Sequence, residues 1–257
     1  MDSDFNYQLF LKDIANLKKI HVNSVGIELV VNNHKQLPVI DTTHLHSILR
    51  VLFRNHLQVH LILTKWNDEA ILVKDSLQLH RWNLFYQNLL NNLLKDLSTF
   101  PINFIVLGVN FENIEKKYKL YETWSKQIKP KYKIPIFYSS HLDCTLTCPL
   151  HEYFDYVGVY YEPSPHDNHK KLARKLHPLI SEKYKNKRII ITHANIQGND
   201  AKLQLQNLLR FWTKKNLTQV NINSIYNQTV LSRDTGHFSL KSNNEFMNYL
   251  QKYIAPK

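Results

Sequence analysis

Apolar and polar residues follow two alternating patterns along this chain. Short runs rich in β-branched residues are separated by longer stretches in which apolar residues recur every three to four positions. The first pattern predicts buried strands and the second predicts amphipathic helices, so together they indicate repeated β/α units. The predicted strands are VNSVGIELVV (22–31), LQVHLILT (57–64), INFIVLGV (102–109), KIPIFYS (133–139), DYVGVYY (155–161), RIIITH (188–193) and VNINSIY (220–226).

The helical periodicity falls between these strands and at both ends of the series. The predicted helices are THLHSILRVLFRN (43–55), LHRWNLFYQNLLNNLLKDL (79–97), ENIEKKYKLYETWSKQI (112–128), NHKKLARKLHPLISEKY (168–184), DAKLQLQNLLRFWTKK (200–215) and NNEFMNYLQKYI (243–254). A further amphipathic segment, YQLFLKDIANLKKI (7–20), precedes the first predicted strand.

We therefore predict an α/β fold: a TIM-type β/α barrel formed by a single domain over residues 1–257. No glycine-rich phosphate loop follows a strand, which disfavours an open doubly wound sheet. Because the chain opens on a helix, the first barrel strand is missing or degenerate, and residues 1–7 are its expected remnant. The strand at 22–31 then takes the second barrel position, and the strand at 188–193 takes the seventh.

Composition narrows the class of protein further. The 257 residues, 43% of them hydrophobic, suffice for one large core. No apolar run is long enough for a transmembrane helix, and the polar, acidic start predicts no signal peptide, which leaves the cytoplasm and non-classical export both open. Cys144 and Cys148 are most simply two free thiols, although their spacing also permits a local disulfide or half of a metal site.

The formal net charge of +12 raises the question of nucleic-acid binding. The basic clusters at 126–133 and 182–188 each end a predicted helix just before a strand. In a β/α barrel this is the face opposite the active site, where cations complement helix C-terminal dipoles. We therefore expect no specific nucleic-acid partner, although weak binding to anionic surfaces stays open.

Several weak motifs, in a fixed order, carry a family resemblance. They are RWNLFYQNLL (81–90), FIVLGVNFENIE (104–115), WSKQIKPKYKIPIFYSSHLD (124–143), FDYVGVYYEP (154–163) and RIIITHANIQG (188–198). The chain thereby resembles glycoside hydrolase family 113 and its relatives in clan A, the TIM-barrel retaining glycosidases. The resemblance covers nearly all of the chain after the first strand, and it implies a saccharide site at the C-terminal strand ends.

The resemblance also implies where two catalytic glutamates should lie, and neither is present. The family's Gly-x-Glu motif, which supplies the acid/base, matches Gly108, Val109 and Asn110. The Thr-Glu pair that supplies the nucleophile matches Thr192 and His193. Other family positions are retained, namely Tyr138, Ser139, Gly158, Val159, Tyr160 and Tyr161.

These two replacements affect the chemistry directly. A retaining glycosidase needs two carboxyl groups about 5 to 5.5 Å apart, one as proton donor and one as nucleophile. The amide of Asn110 donates no proton at a useful pH, and attack by His193 would give a charged adduct with no carboxylate to stabilise the transition state. We therefore expect the ordinary mechanism to be lost.

Nearby carboxylates offer an alternative pair in a different register. Glu112 lies two residues beyond Asn110, and Glu162 and Asp143 follow the predicted strands at 155–161 and 133–139. An active glycosidase would use Glu112 and Glu162 or another such pair. The simpler interpretations are a helix N-terminal charge for Glu112 and solvated loop positions for the other two.

Aromatic and polar residues at the predicted strand ends suit a sugar, whose apolar faces stack on rings while its hydroxyl groups bind polar side chains. The alternative is that these rings pack in the barrel core or rim. The candidate substrate-binding residues are Trp66, Asn67, Asp68, Tyr138, Tyr160, Tyr161, Tyr226 and Asn227.

A metal-dependent hydrolase is a further alternative, because His141, Asp143, His166 and His193 follow or end neighbouring strands. No HxH or HExxH spacing supports it, so we expect no metal and no cofactor. The sequence thus predicts a glycoside-hydrolase-like barrel that binds an oligosaccharide or glycan with its retaining chemistry lost. A protein partner of unknown kind is also compatible with the sequence.

Overall fold

The structure of the chain is a computed structural model. The described residues are 7–19, 22–34, 37–40, 42, 44–65, 76–109, 111, 122, 125–126, 133–145, 147, 149–161, 169–178, 183–197, 203–204, 206–208, 219–220 and 224–226. None of the helices in this part of the chain is long and apolar enough to cross a membrane.

Strands and helices alternate through the described residues. The strands are β1 (Ser24–His34), β2 (Leu37–Ile40), β3 (Gln58–Lys65), β4 (Ile102–Val109), β5 (Ile136–His141), β6 (Tyr156–Tyr161), β7 (Arg188–Gln197), β8 (Gln219–Val220) and β9 (Ser224–Tyr226). The helices are α1 (Tyr7–Lys19), α2 (Leu45–Arg54), α3 (Ser76–Asp96), α4 (Leu142–Thr145) and α5 (His169–Pro178), with a 3-10 helix at Pro149–Tyr153.

The strands form one sheet in the order β2-β1-β3-β4-β5-β6-β7-β8, with β9 also paired to β7. Every pairing from β1 through β7 is parallel except that of β1 with β2. Consecutive parallel strands require crossover connections, and α2 and α3 supply them between β1 and β4. The predicted parallel β/α architecture is confirmed, while the single domain over 1–257 stays a prediction.

The start of the sheet departs from a complete barrel. Within the described residues, the neighbour of β1 opposite β3 is not a parallel first strand but β2, which folds back antiparallel so that Val31 lies opposite Ile40. Strand β2 was not predicted, because the polar sequence HKQ (34–36) and Pro38 are typical of a loop. Proline is nevertheless compatible with an edge strand, since no neighbour needs its missing N–H. Residues 1–6 of the expected strand remnant lie outside the described residues.

Helix α3 covers β4 through an aromatic cluster. Trp82 stacks on Tyr86 with ring centroids 4.7 Å apart, and Phe111 meets both rings edge-on. The Tyr86 hydroxyl donates a hydrogen bond to the carbonyl of Leu107. Strand β4 is buried along almost its whole length, as expected for a parallel strand covered on both faces. The Trp82 side chain is almost fully buried in this cluster.

Gly158, in the middle of β6, leaves room for a polar bridge between its two neighbours. Ser139 on β5 pairs with Gly158, and the Ser139 hydroxyl lies 2.6 Å from that of Thr192 on β7. A Cβ at Gly158 would come within 2.5 Å of the Tyr138 carbonyl oxygen and 2.8 Å of the Ser139 Cβ. The glycine therefore permits both the close approach of β5 and the bridge across β6.

A buried polar cluster lies behind β5, around His151. The Nε2 atom of His151 lies 2.8 Å from the Ser140 hydroxyl, which also contacts the Thr145 hydroxyl at 3.0 Å. The Tyr184 hydroxyl donates to the Thr145 carbonyl. Lys187, in the basic cluster at 182–188, donates to the carbonyls of residues 151, 152 and 154 just before β6. This cation therefore contributes to the fold.

We predict that Gly158→Ala lowers the free energy of unfolding by about 1 to 3 kcal/mol, because the new methyl group meets backbone atoms that cannot rotate away. Urea unfolding followed by circular dichroism measures this change. A matched Ala194→Gly variant on β7 controls for the general effect of an alanine-glycine exchange in a strand. Unfolding of Gly158→Ala at the native urea midpoint would contradict the packing described.

Burial, together with the ammonium groups of Lys183 and Lys187, lowers the pKa of His151 to about 3. The unfolded chain binds this proton near the ordinary pKa of about 6.5, so the stabilisation from neutral His151 is complete above that pH and is lost as the pH falls toward 3.

We predict that the native free energy of unfolding falls with decreasing pH through this window, with His151 contributing up to about 1.4 kcal/mol per pH unit. Urea titrations at a series of pH values should give a shallower acid slope for His151→Asn than for the native chain. The exposed-histidine variant His80→Asn is the control and should keep the native slope. Equal slopes for His151→Asn and the native chain would refute this assignment.

Candidate functional site

Three aromatic side chains lie in a row where β5 and β6 end beside the middle of β7. In the strand register, His141 pairs with Tyr160, and Tyr160 pairs with His193. The ring centroids of His141 and Tyr160 are 6.0 Å apart, and those of Tyr160 and His193 are 5.4 Å apart. Adjacent positions in a parallel ladder point to one face of the sheet, so these rings form a continuous row.

His193 is held from behind by hydroxyl groups. Its Nδ1 atom lies 3.1 Å from the Thr192 hydroxyl, which in turn contacts Ser139 and the carbonyl of Val159. The register of β6 and β7 shifts between Val159 and Tyr160, and this irregularity brings His193 opposite Tyr160. The imidazole is thus fixed by local backbone geometry and by a hydrogen-bonded chain.

A carboxylate from the far end of the sheet faces His193. Glu28 lies on β1, and its Oε1 atom is 3.5 Å from the Nε2 atom of His193. Strands β1 and β7 are separated by β3, β4, β5 and β6 in the sheet order, so this contact requires the sheet to curve around an interior. The side chain of Glu28 is 46% exposed, whereas that of His193 is 6% exposed.

The sequence interpretation missed Glu28, although the chain carries a signal for it. Glu28 is the charged residue within the otherwise apolar run VGIELVV. A carboxylate within an apolar strand of a parallel sheet costs free energy unless it faces solvent, a partner or a ligand. This break in the apolar run could have marked Glu28 as a candidate site residue.

The structure places the predicted tyrosines differently. Tyr160 is partly exposed and lies beside His193. Tyr161 is buried, and Tyr138 is fully buried with its hydroxyl accepting a hydrogen bond from the Phe111 N–H. Tyr226 ends β9, where its backbone pairs with Gln197 of β7. Saccharide contacts for these tyrosines stay predictions.

Other predicted site residues lie outside the described part of the chain. Three of them follow directly on a described strand: Trp66 on Lys65, Asn110 on Val109, and Glu162 on Tyr161. The remaining site residues outside the described part are Asn67, Asp68, Glu112 and Asn227.

The metal-site residues do not converge within the described structure. His141 pairs with Asp143 at 3.6 Å on an exposed surface, while His193 faces Glu28. Among the described residues there is no group of three or more His, Cys, Asp or Glu side chains that could hold a metal ion. His166 lies outside the described residues.

The described site has the chemistry of a hydrogen-bonding surface. The imidazole of His193 lies in the middle of β7, a carboxylate faces it from β1, and Tyr160 adds an aromatic ring beside them. Imidazole and carboxylate groups can each exchange hydrogen bonds with hydroxyl groups, and aromatic rings can contact the apolar face of a sugar.

The sequence matches no family model and no curated protein, but solved structures resemble almost the whole chain. A GH113 β-1,4-mannanase superposes with a TM-score of 0.77 at 10% identity, over 98% of this chain and 94% of that one. A GH113 β-mannanase from Alicyclobacillus acidocaldarius gives 0.65 at 11% identity, over 96% and 92%. A β-glucuronidase from an uncultured Clostridium species gives 0.71 at 12% identity, over 96% of this chain but 47% of that one.

At these identities the likeness concerns the fold. It confirms the predicted TIM-type barrel and, for the fold, the predicted resemblance to glycoside hydrolases. The parallel strands from β1 to β7 are the part of this chain that has the barrel architecture. The chain has the TIM-barrel fold of glycoside hydrolases such as the GH113 β-mannanases, in a degenerate form whose first parallel strand is absent from the described residues.

Proposed function

We propose that this chain is a saccharide-binding barrel that has lost the retaining two-glutamate chemistry. The observation that carries the proposal is His193. In the family match it takes the place of the nucleophilic glutamate, and on β7 it contacts both Thr192 and Glu28. The glycoside-hydrolase fold supports a site at these strand ends.

An imidazole in this setting is a poor substitute for the nucleophile. Its Nδ1 atom is engaged by Thr192, and its Nε2 atom is buried behind the carboxylate of Glu28, so attack on a sugar by either nitrogen would first require the loss of a contact. The acid/base position holds Asn110, whose amide does not supply a proton. In this family match, both the acid/base and the nucleophile of the retaining mechanism are therefore missing.

Binding of a sugar does not require the two carboxyl groups that the retaining mechanism needs. A row of rings at strand ends can contact the apolar face of a sugar, and nearby polar groups can bind its hydroxyl groups. Further sugar contacts are proposed for the predicted residues Trp66, Asn67, Asp68, Tyr226 and Asn227. The buried side chains of Tyr138 and Tyr161 would support the strands behind this surface.

The two enzymatic alternatives depend on residues elsewhere. An active glycosidase would use Glu112 and Glu162, and metal chemistry would require His166 or another third ligand beside the rim histidines. These three residues lie outside the described part, and within it no contact favours either alternative. A binding barrel is therefore the function that the described contacts support best.

We predict that the chain binds β-1,4-mannotetraose, a probe chosen because structural neighbours are β-1,4-mannanases. Isothermal calorimetry should show that Trp66→Ala and Tyr226→Ala each weaken the affinity by about tenfold or more, because each removes a ring that stacks on the sugar. Glu112→Gln should leave the affinity unchanged.

The exposed aromatic variant Phe85→Ala on α3 is the matched control, because Phe85 lies on a covering helix. If mannotetraose, cellotetraose and xylotetraose all fail to bind the native chain, the proposal is wrong. It is also wrong if Phe85→Ala weakens binding as much as the two site variants do.

A further inference from the structure

We propose that Glu28 and His193 form one polar subsite, which binds a hydroxyl group of a sugar ring. This inference rests on the proposed saccharide-binding function and adds a residue, Glu28, that neither the motifs nor the resemblance assigns. It predicts that the sugar enters the curved sheet interior far enough to reach β1 as well as β7.

The separation of the two side chains is the first observation. Their facing atoms, Glu28 Oε1 and His193 Nε2, are 3.5 Å apart, beyond the usual range of a good hydrogen bond, about 2.7 to 3.2 Å. Within the described residues, His193 Nε2 is buried and makes no hydrogen bond. Buried polar atoms normally have a partner, so an unfilled position of this kind points to a ligand group or water.

A hydroxyl group of the ligand can occupy this position. Because Nε2 is closed to solvent and Glu28 is exposed, the Glu28 side chain turns outward to admit the hydroxyl group. The hydroxyl group then donates to the carboxylate and exchanges a second hydrogen bond with His193.

The surrounding contacts orient the subsite before a ligand binds. Thr192 and Ser139 fix the imidazole from behind, and the ring of Tyr160 lies beside it. Glu28, by contrast, is 46% exposed and therefore accessible. A fixed inner partner and an exposed outer side chain that can move allow the sugar to enter without a change in the strand backbone.

The charge of Glu28 also restricts the ligand. Carboxylates accept hydrogen bonds from hydroxyl groups but repel other carboxylates at the same point. The sugar ring that occupies this subsite should therefore present hydroxyl groups and not a uronic acid carboxylate.

The test compares Glu28→Gln, His193→Gln and their double variant for binding of β-1,4-mannotriose. Loss of a charge-assisted hydrogen bond should weaken the affinity of Glu28→Gln by about ten- to a hundredfold. Because both side chains contact the same ligand group, the double variant should lose less than the product of the two single effects. Glu152→Gln, on the exposed surface of the 3-10 helix, is the matched control and should bind as the native chain does.

The NMR chemical shift of the His193 imidazole is a second test. If Glu28 and His193 only stabilised the fold, this shift would not change when the sugar is added. The His193 resonance, identified by its absence in His193→Gln, should shift when mannotriose is added and should shift much less in Glu28→Gln. Native affinity in Glu28→Gln, or an unmoved His193 resonance in the saturated native chain, would overturn the subsite.

The experiments distinguish an error in the subsite proposal from an error in the proposed saccharide-binding function. If Trp66→Ala and Tyr226→Ala weaken binding while Glu28→Gln and His193→Gln do not, the barrel binds saccharide elsewhere and only the subsite is wrong. If the native chain binds no oligosaccharide, both proposals are wrong.

Discussion

The parallel hydrogen-bonded ladder from β1 to β7 is the constraint on which the rest of the structure depends. Parallel strands bring their C-terminal ends to one end of the sheet. The helices that connect them cover the outer face of the sheet. The ladder sets the register in which His141, Tyr160 and His193 lie side by side. Its curvature brings Glu28, from the other end of the sheet, to within 3.5 Å of His193. The candidate site is thus a product of strand order, since these residues are far apart in the sequence.

The local geometry around β6 explains how the side chains of β5 and β7 meet and orient His193. Gly158 removes a side chain at the point where Ser139 and Thr192 meet across the strand. The resulting bridge supports His193 from behind, so the imidazole is oriented by the same contacts that hold β5, β6 and β7 together. A carboxylate in place of this imidazole would face Glu28 directly, and two like charges at that distance repel each other. Glu28 and His193 are therefore compatible as a pair.

The sequence predicted the repeated strands well, because parallel strands such as INFIVLGV are buried on both faces and are continuously apolar. It did not predict β2, because the preceding polar sequence and Pro38 resemble a loop, whereas the strand forms by antiparallel pairing with β1. It did not predict the role of Glu28 either, because Glu28 belongs to none of the motifs that carry the family resemblance. His193 was identified by that match, but its contact with Glu28 depends on the curvature of the whole sheet, which local sequence patterns do not contain.

The central claim is that the barrel binds saccharide without the retaining two-carboxylate chemistry. The most direct test is the hydrolysis of β-1,4-mannohexaose by the native chain, Glu112→Gln and Glu162→Gln, with products identified by mass spectrometry. Our account predicts that none of the three forms shorter oligosaccharides above the rate in buffer. Product formation by the native chain that either substitution abolishes would contradict it, because a working carboxylate pair would then be present.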